Sequence, residues 1–138
     1  MPRKKKPLEG LDHIGIAVSD LAAVIKTLET AFDTKPTFRE TVADQNVTIA
    51  GYRIGGTTIE YFEPLNESAP LQKFLAKRGN GIHHLAFRVQ DLEERLKQLK
   101  SKGFRLIDQV PRTGAEGKKI AFLHPESFNG ILIELCEY

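Results

Sequence analysis

Apolar and polar positions follow the same order twice along the chain. Two β-rich runs, LDHIGIAV from Leu11 and IHHLAFRV from Ile82, are each followed by an aspartate and then by apolar residues at helical spacing. The first helical stripe is Leu21, Val24, Ile25 and Leu28, and the second is Leu92, Leu96 and Leu99. The pattern predicts a strand and then an amphipathic helix in each copy, with Asp20 and Asp91 as N-caps.

The two copies also match residue by residue, which indicates an internal repeat. At a constant spacing of 71 residues, the matched pairs are His13 and His84, Val18 and Val89, Asp20 and Asp91, and Leu21 and Leu92. Near the ends of the copies, Glu60 matches Glu134 and Glu63 matches Glu137 at a spacing of 74 residues. The difference between the two spacings corresponds to a small insertion in the loops of the second copy.

Each copy contains two further strand-like stretches between these landmarks. They are PTFRETV and NVTIAGYRI in the first copy, and FRLIDQV and KKIAFLHP in the second. Each copy therefore reads strand–helix–strand–strand–strand. We predict an α+β fold in which two tandem βαβββ modules form a curved mixed sheet that encloses a cleft about a pseudo-twofold axis.

The length of the chain favours a single domain over residues 10–138. Module 1 spans residues 10–63 and module 2 spans residues 81–138. The linker between them, residues 64–80, is polar, and we expect a short helix in it from Leu71 to Lys77. The remaining residues, 1–9, are predicted to form a disordered basic tail.

Composition narrows the classes of partner. Hydrophobic residues make up 41% of the chain and charged residues 28%, within the ordinary range of soluble globular proteins. The formal charge of +2 arises mostly from MPRKKKP, because without its four basic residues 16 basic residues remain against 18 acidic ones. A nucleic-acid binder would concentrate basic residues on its body, and no apolar run is long enough for a signal peptide or a membrane span. We therefore expect neither nucleic acid nor a membrane as a partner.

The single cysteine, Cys136, excludes an internal disulfide, which fits a reducing cytoplasm. It lies in the alternating segment ILIELCEY, where a buried, inert thiol is expected rather than a nucleophile. We accordingly expect a cytoplasmic protein.

The repeat places histidine and glutamate at equivalent positions of both modules. Since duplicated modules usually pack about a pseudo-twofold axis, we expect one cleft to contain His13, Glu60, His84 and Glu134. Two imidazoles and two carboxylates suit a divalent first-row metal ion. Consecutive strand residues point to opposite faces, so His83 is predicted to lie on the side away from His84. Glu63 and Glu137, at strand ends, are predicted to be structural.

Paired modules with histidine on the first strand and glutamate on the last resemble the vicinal oxygen chelate superfamily, whose fold is glyoxalase-like. Within it, the segments LDHIGIAVSDL, GIHHLAF and GKKIAFLHP…GILIEL resemble the methylmalonyl-CoA epimerase family. The likeness covers nearly the whole chain after the tail and is weakest from Phe38 to Arg53. Some members of that family have a glutamate, proposed as a base, near the position of Ile49. Because this chain has an apolar residue there, that base does not carry over.

The resemblance implies a metal-dependent interconversion of (R)- and (S)-methylmalonyl-CoA in a homodimer. The metal ligands would be His13, Glu60, His84 and Glu134, with one divalent ion per chain; Co²⁺ is favoured, with Mn²⁺, Ni²⁺ or Zn²⁺ as alternatives. A Lewis acid stabilises the enolate left by removal of the α-proton, and epimerisation needs a proton acceptor on each face. We expect Glu60 and Glu134 in that role. The basic loop residues Arg112, Lys118 and Lys119, together with His124, are candidate contacts for the acyl-CoA substrate.

Three alternatives remain open at this stage. A lactoylglutathione lyase uses a similar metal site on another thiol-derived substrate. An extradiol dioxygenase needs two histidines, one carboxylate and open positions on iron, one of which Glu60 would occupy. A non-catalytic binding protein on the same fold has no need of four metal-ligand residues.

Overall fold

The computed structural model describes residues 7–138, so most of the predicted basic tail lies outside the described residues. Within that range, eight strands and three α-helices form two modules and the linker between them. The strands are β1 (Gly10–Ala17), β2 (Phe38–Val42), β3 (Val47–Ile54), β4 (Thr57–Pro64), β5 (Gly81–Arg88), β6 (Arg112–Thr113), β7 (Lys119–Leu123) and β8 (Ile133–Glu137). The helices are α1 (Leu21–Phe32), α2 (Leu71–Arg78) and α3 (Leu92–Ser101). The linker helix α2 is one residue longer than predicted.

All eight strands form one mixed sheet in the order β2-β3-β4-β1-β5-β8-β7-β6. The two first strands of the modules, β1 and β5, lie antiparallel at its centre. β1 pairs in parallel with β4, and β5 pairs in parallel with β8, so the two modules contribute equivalent halves. The sheet curls into a half-barrel, which confirms the predicted α+β glyoxalase-like fold.

The long helices cover the outer face of the sheet, as their apolar stripes require. α1 buries Leu21 in a cluster with Ala50 and Tyr52 of β3. α3 buries Leu92 and Leu96 in an equivalent cluster with residues of β7 and β8. Burying these stripes leaves the inner, concave face of the sheet for other residues. None of the helices within residues 7–138 is long and apolar enough to cross a membrane.

Both long helices begin next to a carboxylate that comes from the last strand of their own module. The Glu63 side chain accepts a hydrogen bond from the Leu21 backbone N–H at 2.8 Å, while Asp20 accepts one from Ala23. In module 2, the Glu137 carboxylate takes over the capping and accepts from the backbone N–H groups of residues 91 and 92 at 2.7 and 3.3 Å. Glu63 and Glu137 are therefore structural caps, because they satisfy amide donors that a helix leaves unpaired.

The segment FRLIDQV does not form the full strand that its pattern predicts. Leu106 makes one isolated bridge to Leu123, and β6 is confined to two residues further on. The N–H groups of Ile107 and Asp108 both donate to the carbonyl of Phe122, at 3.0 and 3.1 Å. Two consecutive amides on one carbonyl break the alternation of a regular ladder, so the segment follows β7 without extending the sheet.

Candidate active site

A β-bulge precedes each of the two repeat-related histidines on the central strands. In the pairing of β1 with β5, Asp12 is the extra residue before His13, and His83 is the extra residue before His84. The two extra residues, Asp12 and His83, are themselves matched by the 71-residue spacing of the repeat. The rings of His83 and His84 both contact Phe62 on the concave face, at 5.2 and 5.6 Å between centroids. The prediction that His83 lies on the opposite side is therefore wrong, because the bulge interrupts the two-residue alternation.

Small residues stand opposite both histidines across the central strand pair. Gly15 pairs with His84, and Ala86 pairs with His13. A side chain at position 15 would overlap the His84 ring. The absence of bulk at these two positions lets both imidazoles lie across the concave face, where they meet edge to face at 5.3 Å.

Three side chains direct potential metal ligands at one another. His13 Nε2 lies 3.2 Å from His84 Nε2 and 3.0 Å from Glu134 Oε2. The second oxygen of Glu134 lies 3.7 Å from His84 Nε2. All three residues are buried, and their ligand atoms lie within 4.8 Å of one another. Cys136 adds a thiol that donates to Glu134 Oε2 at 3.0 Å.

Glu60 borders this cluster from the other side of His13. Its Oε2 lies 3.4 Å from His13 Nδ1 and 3.4 Å from Lys118 Nζ. Glu60 and Phe62 share the concave face of β4, as the strand parity predicts, while Tyr61 packs towards α1. The Glu60 carboxylate is thus beside the candidate metal ligands but turned towards an ammonium group.

Asp12 is a site residue that sequence reasoning missed. Its Oδ2 accepts from His13 Nδ1 at 2.7 Å and from Lys118 Nζ at 3.1 Å, and its Oδ1 accepts from Arg88 and from Tyr138 Oη. By holding Nδ1–H, Asp12 orients His13 so that Nε2 faces the cluster, the arrangement common behind metal-bound histidines. The sequence contained one signal that could have identified Asp12, because the repeat matches it to His83.

The environment shifts the pKa values of the site residues in different directions. Burial opposes the charge on His13, but hydrogen bonds with Asp12 and Glu134 outweigh it and raise the pKa of His13 to about 9. Burial lowers the pKa of His84 to about 3. Burial raises the pKa of Glu60. For Glu134 burial acts in the same direction, but the hydrogen bond from His13 and the charge of His84 lower the pKa to about 2.

The buried charges fit a divalent cation. Asp12, Glu60 and Glu134 are buried carboxylates, and Lys118 is the buried ammonium group among them. When both histidines are neutral, as metal ligands are, the three carboxylates face two positive groups, Lys118 and the partly exposed Arg88 that pairs with Asp12. One negative charge is then left in excess in a region where unbalanced charge is costly. Two imidazole nitrogens with carboxylate oxygens suit a first-row divalent ion. A second candidate set consists of Asp12, His13 and Cys136, but Lys118, Arg88 and Tyr138 already occupy its carboxylate.

The remaining predicted contacts lie outside the cluster. Arg112 is paired with Asp44 and Asp108, at 3.3 and 3.7 Å. Lys119 is exposed next to the buried Lys118. His124 Nδ1 accepts from the backbone N–H of Glu126 and opens a 3₁₀ turn at the end of β7. The structure therefore brings Lys118 into the site and leaves Arg112 and His124 outside it. Lys119 lies on the opposite face of β7, beside the start of α3 and Glu137, so it is not a site residue.

A loop of module 2 covers the cluster by binding to module 1. Glu116 in this loop pairs with Arg53, and its backbone N–H donates to the Glu40 carboxylate. Beneath it, apolar side chains that include Ile49 and Ile120 line the space around the histidines and glutamates. The cavity has a volume of about 10 Å³, which is room for a water molecule or an ion but not for an acyl-CoA.

Comparisons with known proteins agree with this fold. The Bacillus subtilis uncharacterised protein YqjC is 43% identical over 127 residues, which are 92% of this chain and 91% of that protein. The methylmalonyl-CoA epimerase of Mycobacterium tuberculosis is 38% identical, with a TM-score of 0.89 over 99% of this chain and 92% of that chain. A variant Streptomyces coelicolor methylmalonyl-CoA epimerase in complex with 2-nitronate-propionyl-CoA is 34% identical, with a TM-score of 0.88 over 95% of each chain.

A family model described as the Glyoxalase/Bleomycin resistance protein/Dioxygenase superfamily matches residues 12–122. That range runs from the first bulge on β1 into β7 and so includes most of both modules, without β8. The match and the shared half-barrel show that this chain belongs to the Glyoxalase/Bleomycin resistance protein/Dioxygenase superfamily and is related to the methylmalonyl-CoA epimerases.

Proposed function

We propose that this protein is a metal-dependent epimerase that interconverts (R)- and (S)-methylmalonyl-CoA by removing and returning the α-proton. One observation carries the proposal. In a chain related to methylmalonyl-CoA epimerases, His13, His84 and Glu134 converge on one point. A second buried glutamate, Glu60, lies on the far side of His13. With a metal ion bound, such a site would supply a Lewis acid and two carboxylates to the substrate.

In the proposed site, His13, Glu60, His84 and Glu134 hold one divalent ion, with Co²⁺ the favoured metal and Mn²⁺, Ni²⁺ or Zn²⁺ the alternatives. When bound, the ion would polarise the thioester carbonyl and neutralise the negative charge that develops as the α-proton leaves. Asp12 keeps the Nδ1 proton of His13 in place, so Nε2 is the nitrogen that would bind the metal ion. The thiol of Cys136 supports the orientation of Glu134.

Glu60 and Glu134 would be the two proton acceptors, one for each face of the planar enolate. Their surroundings differ in the way expected of groups with different roles, since the pKa of Glu60 is raised and that of Glu134 is lowered. A carboxylate with a raised pKa is the better match for a general base near neutral pH. The apolar Ile49 leaves these two as the glutamates lining the described site.

The acyl-CoA would enter by displacement of the covering loop, because the closed cavity does not accommodate it. The contacts of Glu116 with Arg53 and Glu40 would then open. Arg112 and His124 lie outside the cluster and are proposed to contact the longer part of the substrate. An acyl-CoA ligand is supported by the complex of the Streptomyces coelicolor relative.

The test is direct conversion of one epimer. Metal-loaded protein is incubated with (S)-methylmalonyl-CoA, the (R) epimer is quantified, and His84→Ala is assayed in parallel. We expect conversion by the wild type that is lost in the variant. A protein that leaves (S)-methylmalonyl-CoA unchanged but isomerises the hemithioacetal of methylglyoxal and glutathione would be a glyoxalase, and the proposal would be wrong.

A further inference from the structure

Lys118 is buried among carboxylates, in contrast to the exposed lysine that follows it. It is 3% exposed, and its Nζ donates to Asp12 Oδ2 at 3.1 Å and to Glu60 Oε2 at 3.4 Å. The ammonium group also lies 5.7 Å from the centre of the Tyr138 ring. A lysine enclosed in this way does not reach the phosphates of a substrate outside the site. Its effect is on the two carboxylates that it contacts.

Of these two carboxylates, Glu60 depends more on Lys118. Asp12 has three further donors, namely His13, Arg88 and Tyr138. Among the described residues, the other polar contact of Glu60 is His13 Nδ1 at 3.4 Å, and that nitrogen already donates to Asp12 at the shorter distance of 2.7 Å. Lys118 is therefore the group that determines where the Glu60 carboxylate rests.

The repeat mate of Glu60 has a different neighbour. The side-chain donor next to Glu134, apart from the histidines, is the neutral thiol of Cys136 at 3.0 Å. A thiol is a weak donor, whereas an ammonium group forms a charge-assisted bond of about twice the strength of a neutral one. Both glutamates lie next to His13, but Glu60 alone of the two has an ammonium group as a further partner.

We propose that Lys118 is a positioning residue that offers the Glu60 carboxylate a resting place away from the metal ion, so that Glu60 is released to take the α-proton on its face of the substrate. The inference rests on the proposed function. Without Lys118, the carboxylate would stay on the metal, where its lone pairs are engaged. Loss of Lys118 should therefore tighten metal binding and slow catalysis, two effects that general damage to the site does not produce together.

The first measurement is a Co²⁺ titration of the metal-free protein, followed by visible absorption, for wild type and Lys118→Met. We expect the variant to bind Co²⁺ about tenfold more tightly, because a nearby positive charge is lost and Glu60 is released to the metal ion. In D₂O, we expect exchange of the α-proton of one methylmalonyl-CoA epimer to fall on the order of a hundredfold, with the other epimer affected much less. Weaker Co²⁺ binding, or equal loss of exchange for both epimers, would overturn the proposal. If the methionine variant does not fold, Lys118→Gln takes its place with the same expectations.

Two controls separate positioning from charge. Lys119→Met removes the same charge from the adjacent, exposed position and should leave Co²⁺ affinity unchanged. In a Glu60→Gln background, Lys118→Met should no longer tighten Co²⁺ binding, because the group that it positions is gone. Equal tightening with and without Glu60 would mean a general charge effect and would refute the proposal. If wild type exchanges neither epimer, the proposed function fails, while the paired Co²⁺ titrations still decide the role of Lys118.

Discussion

The ring of His84 occupies the space above Gly15 that any side chain at that position would need. The two residues are direct cross-strand neighbours in the central strand pair. The equivalent pair in the other direction is Ala86 opposite His13. Both histidines therefore owe their position to a small residue on the partner strand as well as to their own strand.

Replacement of Gly15 tests this relationship. Gly15→Ala should displace the His84 ring, lower the free energy of unfolding by about 1–3 kcal/mol through overpacking and weaken Co²⁺ binding by at least about tenfold. Gly10→Ala is the matched control, because a methyl group at the start of β1 meets nothing within 4 Å. Co²⁺ titrations of the two variants that give the same affinity would show that Gly15 has no such role.

Metal binding should stabilise the fold through the buried ligands. At a free metal concentration of one hundred times Kd, Co²⁺ should raise the free energy of unfolding by about 2.7 kcal/mol. Denaturant unfolding with and without a chelator measures the effect. His84→Ala should unfold identically in both conditions. A chelator-sensitive variant would place the ion elsewhere.

Metal affinity should depend on pH through His13. With its pKa raised to about 9 in the metal-free protein, His13 carries a proton at neutral pH that the metal must displace. Apparent Co²⁺ affinity should therefore rise by about tenfold per pH unit from pH 7 towards pH 9 and then level off. Titrations at three pH values below and one above 9 would check the slope. An affinity that is flat across this range would contradict the assignment of His13 as the protonated ligand.

Removal of Glu60 should affect the two epimers unequally. Glu60→Gln lacks the acceptor on one face, so exchange of the α-proton in D₂O should persist from one epimer and fall on the order of a hundredfold from the other. Interconversion of the epimers needs proton transfer at both faces, so its rate should fall with that of the slower transfer. Exchange assays that start from each pure epimer would show the asymmetry. Equal exchange rates from both epimers would show that Glu60 is not a proton acceptor.

The capping glutamates should matter for stability alone. Glu137→Ala leaves the first amides of α3 without their carboxylate and should cost about 1 kcal/mol in the free energy of unfolding. Co²⁺ affinity should not change, since Glu137 lies at the end of β8 away from the cluster. Glu67→Ala in the exposed linker is the control. Thermal unfolding that ranks the two variants equally would mean that the cap contributes nothing.

The repeat made much of this architecture predictable. Residues matched at constant spacing identified the strands and helices of both modules, and the structure places His13, His84, Glu60 and Glu134 together on the concave face. Parity along β4 also predicted that Glu60 faces inwards. These features depend on local periodicity and on symmetry, which a single sequence displays.

The bulges were not predictable in the same way. A bulge depends on how β1 pairs with β5, and residues 12 and 83 are distant along the chain. Period-two alternation therefore put His83 on the wrong face and did not identify Asp12. The position of Lys118 depends on a loop that crosses between modules, so its charge suggested a surface contact instead of a buried one. The predicted strand in FRLIDQV was wrong for a similar reason, because its pairing with Phe122 departs from a regular ladder.

Exchange of the α-proton with solvent shows whether this protein removes that proton from methylmalonyl-CoA. Co²⁺-loaded protein is mixed with (S)-methylmalonyl-CoA in D₂O, and the α-hydrogen and methyl signals are followed by NMR beside His84→Ala. We expect wild type to replace the α-hydrogen with deuterium as the (R) epimer appears, and the variant not to exceed the rate without protein. An α-hydrogen that persists in the presence of wild-type protein with bound metal would contradict the proposed function.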